Sequence, residues 1–154
     1  MPRLDDALAG ILDGVGDALD AERADPSGRL ADVTNIVRAD RATGPPEPPA
    51  VWLFTEAATA DHRTAGLAET WTLPVVLVAV ARNNRDAEVG YRAATSLAAR
   101  ARSVVLADRL TGLAYVQDVT SARFEPSAPW HSSPKQALYA ALAVVSVTFR
   151  VQEG

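Results

Sequence analysis

The chain has 154 residues, 48% of them hydrophobic, which suits one folded domain and is too apolar for a disordered chain. It contains no cysteine, which excludes disulfides, thiolate catalysis and cysteine-bound zinc. The formal net charge of -4 argues against a nucleic-acid-binding domain, because such domains are usually basic. No apolar run reaches the roughly 18 residues of a membrane span, and the acidic start (Asp5, Asp6) is unlike an export signal. We expect a single domain over residues 1–154, made in the cytoplasm, with no membrane contact.

The first predicted element is an amphipathic helix over Leu4–Ala24. Its apolar residues recur at helical spacing, and its aspartates lie largely off that stripe. Gly14 and Gly16 each weaken a helix by about 1 kcal/mol relative to Ala, but they would allow close backbone approach to a sheet. A turn cluster at Asp25–Gly28 ends the helix. The imperfect alternation of Arg29–Asp40 then predicts a short edge strand.

A stiff, extended connector is predicted for Thr43–Pro49, because four of its seven residues are prolines and lack a backbone N–H. Ala50–Thr55 follows as a brief strand with Trp52 and Phe54 on one side. The polar stretch Glu56–Ala68 is predicted to be a long loop. Long loops in compact domains are usually functional or disordered, so this one becomes a candidate contact segment.

The strongest β-branched, apolar run is Thr70–Arg82, which is apolar on both faces for half its length. Such a strand is expected inside a sheet rather than at its border. A polar break follows, the period changes from two to about 3.6, and a helix is predicted with Asn84 or Asp86 as its N-cap. We expect the strand and helix of Glu69–Leu106 to organise the rest of the chain.

Leu113–Glu125 is predicted as a strand with a bulge, since its apolar residues do not share one parity. Pro126–Lys135 is a second long connector. In the last strand, Ala137–Gln152, one face is apolar throughout and the other changes from apolar to polar. The predicted order is α-β-β-β-α-β-β. This order predicts an α+β fold, with a mixed, mostly antiparallel sheet of about five strands packed by two main helices.

Candidate chemistry is sparse. The two histidines, His62 and His131, fall in predicted loops without metal-site spacing, and we interpret them as exposed residues. His131-Ser132-Ser133 has the residue types of a serine nucleophile site, but the chain lacks a GxSxG elbow. The pair Gly14 and Gly16 lies inside a helix and is not a dinucleotide loop. We therefore expect no catalytic residue, no cofactor, no metal and no enzymatic activity.

Trp130 is the most informative single residue, because it lies among prolines, serines and a histidine in a connector. Two interpretations stand equally at this point. Trp130 is either an aromatic anchor at a protein interface, where such residues are enriched, or it folds back over an edge of the core. The candidate interface residues come from the two long connecting segments: Glu56, His62, Arg63, Trp130, His131 and Lys135.

The stretches that follow one another along nearly the whole chain also form a recognisable pattern. They are the helix Leu4–Ala24, the strand Ala50–Thr55 after a Pro-rich link, the long loop, the strand Thr70–Val80, the Asn/Asp break into an Ala/Arg-rich helix, the Tyr-Val-Gln-Asp-Val-Thr strand at 115–120, the connector, and the terminal Val147–Val151. In this architecture and style the chain resembles the phage tail terminator family, also described as tail completion or minor tail proteins. Head–tail connector and neck proteins of similar size, and tail-like gene transfer agents, look similar.

The resemblance implies a structural protein with no catalytic residues to carry over. Such a protein would assemble, as a hexameric ring, on the end of a finished tail tube, stop its polymerisation and present a surface to the head connector or stopper protein. Its partners would be further copies of itself, the tail tube protein and the connector, and DNA would pass through the lumen without specific binding. It would lie at the head-proximal end of the virion tail. A head–tail connector or neck protein, and a small-ligand-binding α+β module, remain alternatives.

Overall fold

The structure is a computed structural model that describes residues 1–41, 47–64 and 68–152; at 41 and 61–64 only the backbone is described. This part of the chain contains two helices and six strands: four strands follow the first helix and two follow the second. They are α1 (Leu4–Ala24), β1 (Asn35–Arg38), β2 (Ala50–Thr55), β3 (Thr59–Thr64), β4 (Ala68–Arg82), α2 (Ala87–Asp108), β5 (Val116–Glu125) and β6 (Leu138–Gln152). Short 3₁₀ turns follow β1 and interrupt the connector between β5 and β6.

The strands form one mixed sheet in the order β1-β2-β4-β6-β5, with β3 also paired to β4. Only the β1–β2 pair is parallel among the described pairs, and the others are antiparallel. The predicted α+β class, with two helices and a mostly antiparallel sheet, is confirmed. The described part of the chain has six strands rather than about five because β3 was not predicted.

The prediction that Glu56–Ala68 is a loop is wrong for Thr59–Thr64, which forms β3. β4 is 15 residues long, and β2 pairs only with its second half, Val75–Val80. The first half of β4 would otherwise present unpaired backbone groups, and β3 pairs with it from Ala68 to Thr72. β3 is polar and carries a bulge, so its sequence lacks the alternation that predicts a strand.

Both helices pack on the same face of the sheet and contact each other, α1 towards β1 and β2 and α2 towards β4 and β6. The core lies between these two layers, and its largest fully buried side chains include Phe149, Ile11, Leu53 and Leu77. Of the two predicted caps for α2, the N-cap is Asp86, whose side chain accepts the Glu88 N–H at 2.9 Å. This cap fixes where the long strand β4 turns into α2.

The remaining boundaries refine the sequence predictions. Within Arg29–Asp40 only Asn35–Arg38 is a strand, because Arg100 on α2 holds the preceding turn through the Arg29 carbonyl and the Asp32 carboxylate. Gly16 does lie against the sheet, since a Cβ added there would be 3.5 Å from the Leu53 side chain, whereas Gly14 faces the loop after α2. β5 has two register shifts, which confirms the predicted bulge. Residues 42–46 of the proline-rich connector lie outside the described part.

Candidate assembly surface

The sheet has a second face that neither described helix covers. Alternate residues of β2, β4 and β6 point away from the helices, and we call this surface the open face. Its apolar members are Ala50, Trp52, Phe54, Pro74, Val76, Val78, Val80, Leu138, Ala140, Leu142 and Val144. A one-sided antiparallel sheet normally alternates apolar and polar residues, so an apolar second face is unusual. The second apolar face of β4 is thus part of a surface, because no described helix packs on it to form a second core layer.

The open face is apolar at one end and polar at the other. Where β4 begins, its outward residues are Thr70 and Thr72, and the adjoining part of β6 carries Thr148 and Arg150. The apolar half lies towards the end of β4 and the start of β6. Most of its side chains are half-buried, so a continuous apolar area remains in contact with solvent.

Two valines at the centre of the open face, Val76 and Val144, are nevertheless only 2% and 3% exposed. An ion pair spans the open face at the level of these valines. Arg123 on β5 lies in register with Val144, and its Nη2 reaches Glu56 Oε1 beyond β2 at 3.8 Å. The Nε of Arg123 also donates to Glu125 Oε2 at 2.9 Å. The Arg123 side chain therefore extends from β5 towards Glu56 across the central strands.

A depression of about 410 Å³ lies at the apolar end of the open face. Pro48, Trp52, Val78, Val80 and Leu138 supply its apolar lining, and Glu47 and Arg82 supply its charges. We call it the open-face depression. Its volume is near the lower limit of small-molecule sites, which run from about 300 to 1,000 Å³. A space of this size suits one large side chain or a small apolar ligand.

Trp130 is 79% exposed, so the interpretation in which it folds back over the core is wrong. It lies in a 3₁₀ turn, and its ring meets the His131 ring edge-on with centroids 5.7 Å apart. The interpretation of His131 as an exposed loop residue is also wrong. Both of its ring nitrogens are shielded from solvent and have no hydrogen-bond partner among the described residues. The His131 ring thus packs against the projecting Trp130 indole.

The connector that carries Trp130 is held firmly at the edge of the sheet. Beyond the end of β5, the Ser132 hydroxyl accepts the Ala140 N–H at 3.0 Å, in the position that a neighbouring strand would occupy. Ser133 and Leu138 exchange backbone hydrogen bonds of 2.8 and 3.0 Å. On the helix side, the Ser127 N–H donates to Thr95 Oγ1 of α2 at 3.0 Å. Trp130 is therefore presented by an ordered support.

The six predicted interface residues separate into two groups, which the structure does not bring together. Exposed Glu56 precedes β3, where the backbones of His62 and Arg63 pair with Thr70 and Glu69; the side chains of His62 and Arg63 lie outside the described part. Trp130, His131 and exposed Lys135 lie beside the start of β6, which pairs with the end of β4. The groups thus lie in different parts of the sheet, because β3 pairs with the first half of β4, whereas the connector lies beside the strand end that pairs with Arg82.

The residues that the sequence analysis missed are those of the open-face depression, above all Trp52, Val78 and Leu138. Trp52 was placed correctly on one side of its strand, and the two-faced apolar pattern of β4 was a usable signal. What was missing was the knowledge that both helices occupy the other face. Sequence patterns report that a side chain is apolar, but not which neighbouring layer covers it.

The perturbed ionisable groups lie away from the open face. A hydrogen bond from Arg100 lowers the pKa of Asp32, and the Asp40 carboxylate raises the pKa of Arg38. Burial raises the pKa of Tyr115. The first two ion pairs attach the segment after α1 to its neighbours, which is a structural role. Within the described ranges, His, Asp and Glu nowhere cluster in a group of three that could hold a metal ion.

No known protein family matches this chain, and a search of curated proteins finds no match either. Among the described residues, neither helix has the length and apolar character needed to cross a membrane. The candidate surface is therefore characterised by its own geometry: an apolar open face with a depression at one end, and a projecting tryptophan on a supported connector.

Proposed function

We propose that this protein is a structural subunit of a phage tail, which assembles into a ring, caps the tail tube and forms the tail side of the head–tail joint. The observation that carries the assembly part of this proposal is the open face together with exposed Trp130. A contiguous apolar surface on a folded domain usually marks an interaction site, since its exposure to water is unfavourable. A large exposed aromatic on an ordered support is the residue type that anchors interfaces.

The tail assignment is supported by the architecture. The sequence resemblance to tail terminators rested on an N-terminal helix, a short strand after a proline-rich link, a long central strand, an Ala/Arg-rich helix and two final strands. Each of these elements has a counterpart in the fold, as α1, β2, β4, α2, β5 and β6. The strand β3 adds to this pattern without changing the order of the others.

The arrangement of contact residues also suits a ring. A ring subunit meets its two neighbours through two different surfaces, and such heterologous contacts close when the rotation between subunits fits. The two groups of predicted interface residues lie in different parts of the sheet, which provides two such surfaces. Six copies is the number that the resemblance implies. The net charge of -4 is compatible with a lumen through which DNA slides without binding.

The test combines the purified chain with the tail tube protein encoded in the same genome. We expect ring-shaped particles by electron microscopy, and tubes whose growth stops once the protein occupies their ends. Tube length distributions measured with and without the protein give the readout. Tubes that grow equally long in both conditions, with no particle at their ends, contradict the proposal. A head–tail connector would instead bind the portal side and leave tube growth unaffected.

A small-ligand-binding module is the second candidate, and the open-face depression is the observation that favours it. A ligand that binds the native state stabilises it by mass action, so a thermal-shift screen with small apolar molecules separates the two functions. A module of this kind would gain melting temperature with one ligand class and would ignore tail tubes. A tail protein would act on tail tubes and would gain no melting temperature from these ligands.

A further inference from the structure

We infer that neighbouring copies of this chain contact one another through Trp130 of one copy, which inserts into the open-face depression of the next. This inference rests on the proposed function, because it names the contact by which ring subunits would associate. The occupant of the depression is a second copy of the same chain. The two parts of the contact are a projecting indole and a concave apolar surface, and both are present on every copy.

The projecting part has the properties of an interface anchor. The Trp130 side chain is 79% exposed and rests edge-on against His131, which is itself shielded from solvent at both ring nitrogens. The connector is fixed by a hydrogen bond from the Ala140 N–H of β6 to the Ser132 hydroxyl and by one from the Ser127 N–H to Thr95 of α2. A side chain that is already oriented loses little conformational entropy on binding, so more of its burial appears as affinity.

The receiving part has a matching size and chemistry. The depression of about 410 Å³ is lined by Pro48, Trp52, Val78, Val80 and Leu138, which offer ring and methyl surfaces to an indole. Glu47 lies at the same depression and is exposed. Lys135, the only lysine of the chain, lies five residues after Trp130 and is exposed as well. An inserted connector therefore brings a cation to a depression whose two charged residues are Glu47 and Arg82, and the inferred contact places this cation beside Glu47.

A head-to-tail contact requires that its two parts lie at different places on one molecule. The connector is tied to α2 through Ser127 and lies at the β5–β6 edge, towards the helix layer. The depression lies on the opposite face, against β2 and β4. After one head-to-tail contact has formed, the first copy keeps a free depression and the second copy keeps a free tryptophan. Such a head-to-tail contact continues beyond a dimer and closes into a ring when the rotation fits.

The first test measures self-association by sedimentation velocity over a wide concentration range. The wild-type chain should form species larger than a dimer. Trp130→Ala and Val78→Arg, one in each part of the contact, should each weaken association about 30-fold or more, the effect of losing a hot-spot anchor. Val89→Ala is the matched control, because Val89 is an exposed apolar residue of α2 (48%) that belongs neither to the connector nor to the lining of the depression. It should associate like wild type.

Mixing the two defective variants gives a sharper result. Trp130→Ala retains its depression and Val78→Arg retains its tryptophan, so a one-to-one mixture should form a heterodimer and nothing larger. Leu138→Lys replaces Val78→Arg if that variant does not show wild-type circular dichroism. A wild-type chain that stays monomeric or stops at a dimer overturns the inference. So does a mixture that stays monomeric, or a Val89→Ala variant as defective as Trp130→Ala.

A charge exchange tests the orientation of the contact. Glu47→Lys and Lys135→Glu should each weaken association by a few fold, the usual range for an exposed ion pair. Mixed together they should regain wild-type assembly, since each contact can again join a lysine to a glutamate. A mixture no stronger than the single variants contradicts the placement of Lys135 near Glu47 of the next copy.

The outcomes separate this inference from the proposed function. Rings that form and cap tail tubes despite Trp130→Ala would refute the tryptophan contact and leave the tail function standing. Oligomers that depend on Trp130 but do not act on tail tubes would refute the tail function and leave the contact standing.

Discussion

Replacing Trp130 by Ala should barely change the stability of the monomer, and this expectation can be worked from its exposure. The side chain is 79% exposed, so about a fifth of its surface is covered. Full burial of an aromatic side chain covers about 150–250 Å², so the covered part is about 30–50 Å². At roughly 25 cal/mol per Å² this corresponds to about 0.8–1.3 kcal/mol of unfolding free energy, which is an upper estimate.

Phe149→Ala is the matched comparison within the same chain. Phe149 is fully buried on β6, in register with Trp71, and truncation of such a core aromatic costs about 3–5 kcal/mol. The assay is urea denaturation followed by far-ultraviolet circular dichroism. Both substitutions are made in the Val78→Arg background, so that self-association does not contribute. A loss above about 2 kcal/mol for Trp130→Ala would show that the indole packs in the core and would refute the reasoning.

Three further substitutions probe the fold. Val145→Asp should prevent folding, measured by circular dichroism, because it places an unpaired charge at a fully buried position; a folded variant would contradict the placement of β6. Gly90→Ala should lower stability by about 1–2 kcal/mol in urea denaturation, since a Cβ there would collide with the buried Tyr139 ring, whereas Gly112→Ala has open space and should be neutral. Asp32→Asn should cost up to about 1 kcal/mol at neutral pH, because Arg100 lowers the pKa of this exposed carboxyl. That stabilisation is present above the unfolded value of 3.8 and is lost as the pH falls through the lower folded pKa, so the difference between variant and wild type should vanish in acid.

Much of the secondary structure follows from local patterns. The helix Leu4–Ala24 and the strand Ala50–Thr55 have the predicted bounds, because their periodicity and their Pro or Gly neighbours are local signals. The strand Thr59–Thr64 could not be predicted in the same way. Its residues are polar, and it forms because the 15-residue β4 offers a free backbone edge. That requirement depends on the length of a partner strand, which the segment itself does not encode.

The candidate site shows the same division. The sequence by itself determined that β4 is apolar on both faces and that Trp130 lies in a connector between two strands. Only the tertiary structure decided that both helices cover one face, so that Trp52 and Val78 line an open depression, and that Trp130 projects into solvent. The physical reason is that hydrophobic patterning specifies which residues gain from burial. Which layer buries them, or whether a partner must, depends on how the elements dock.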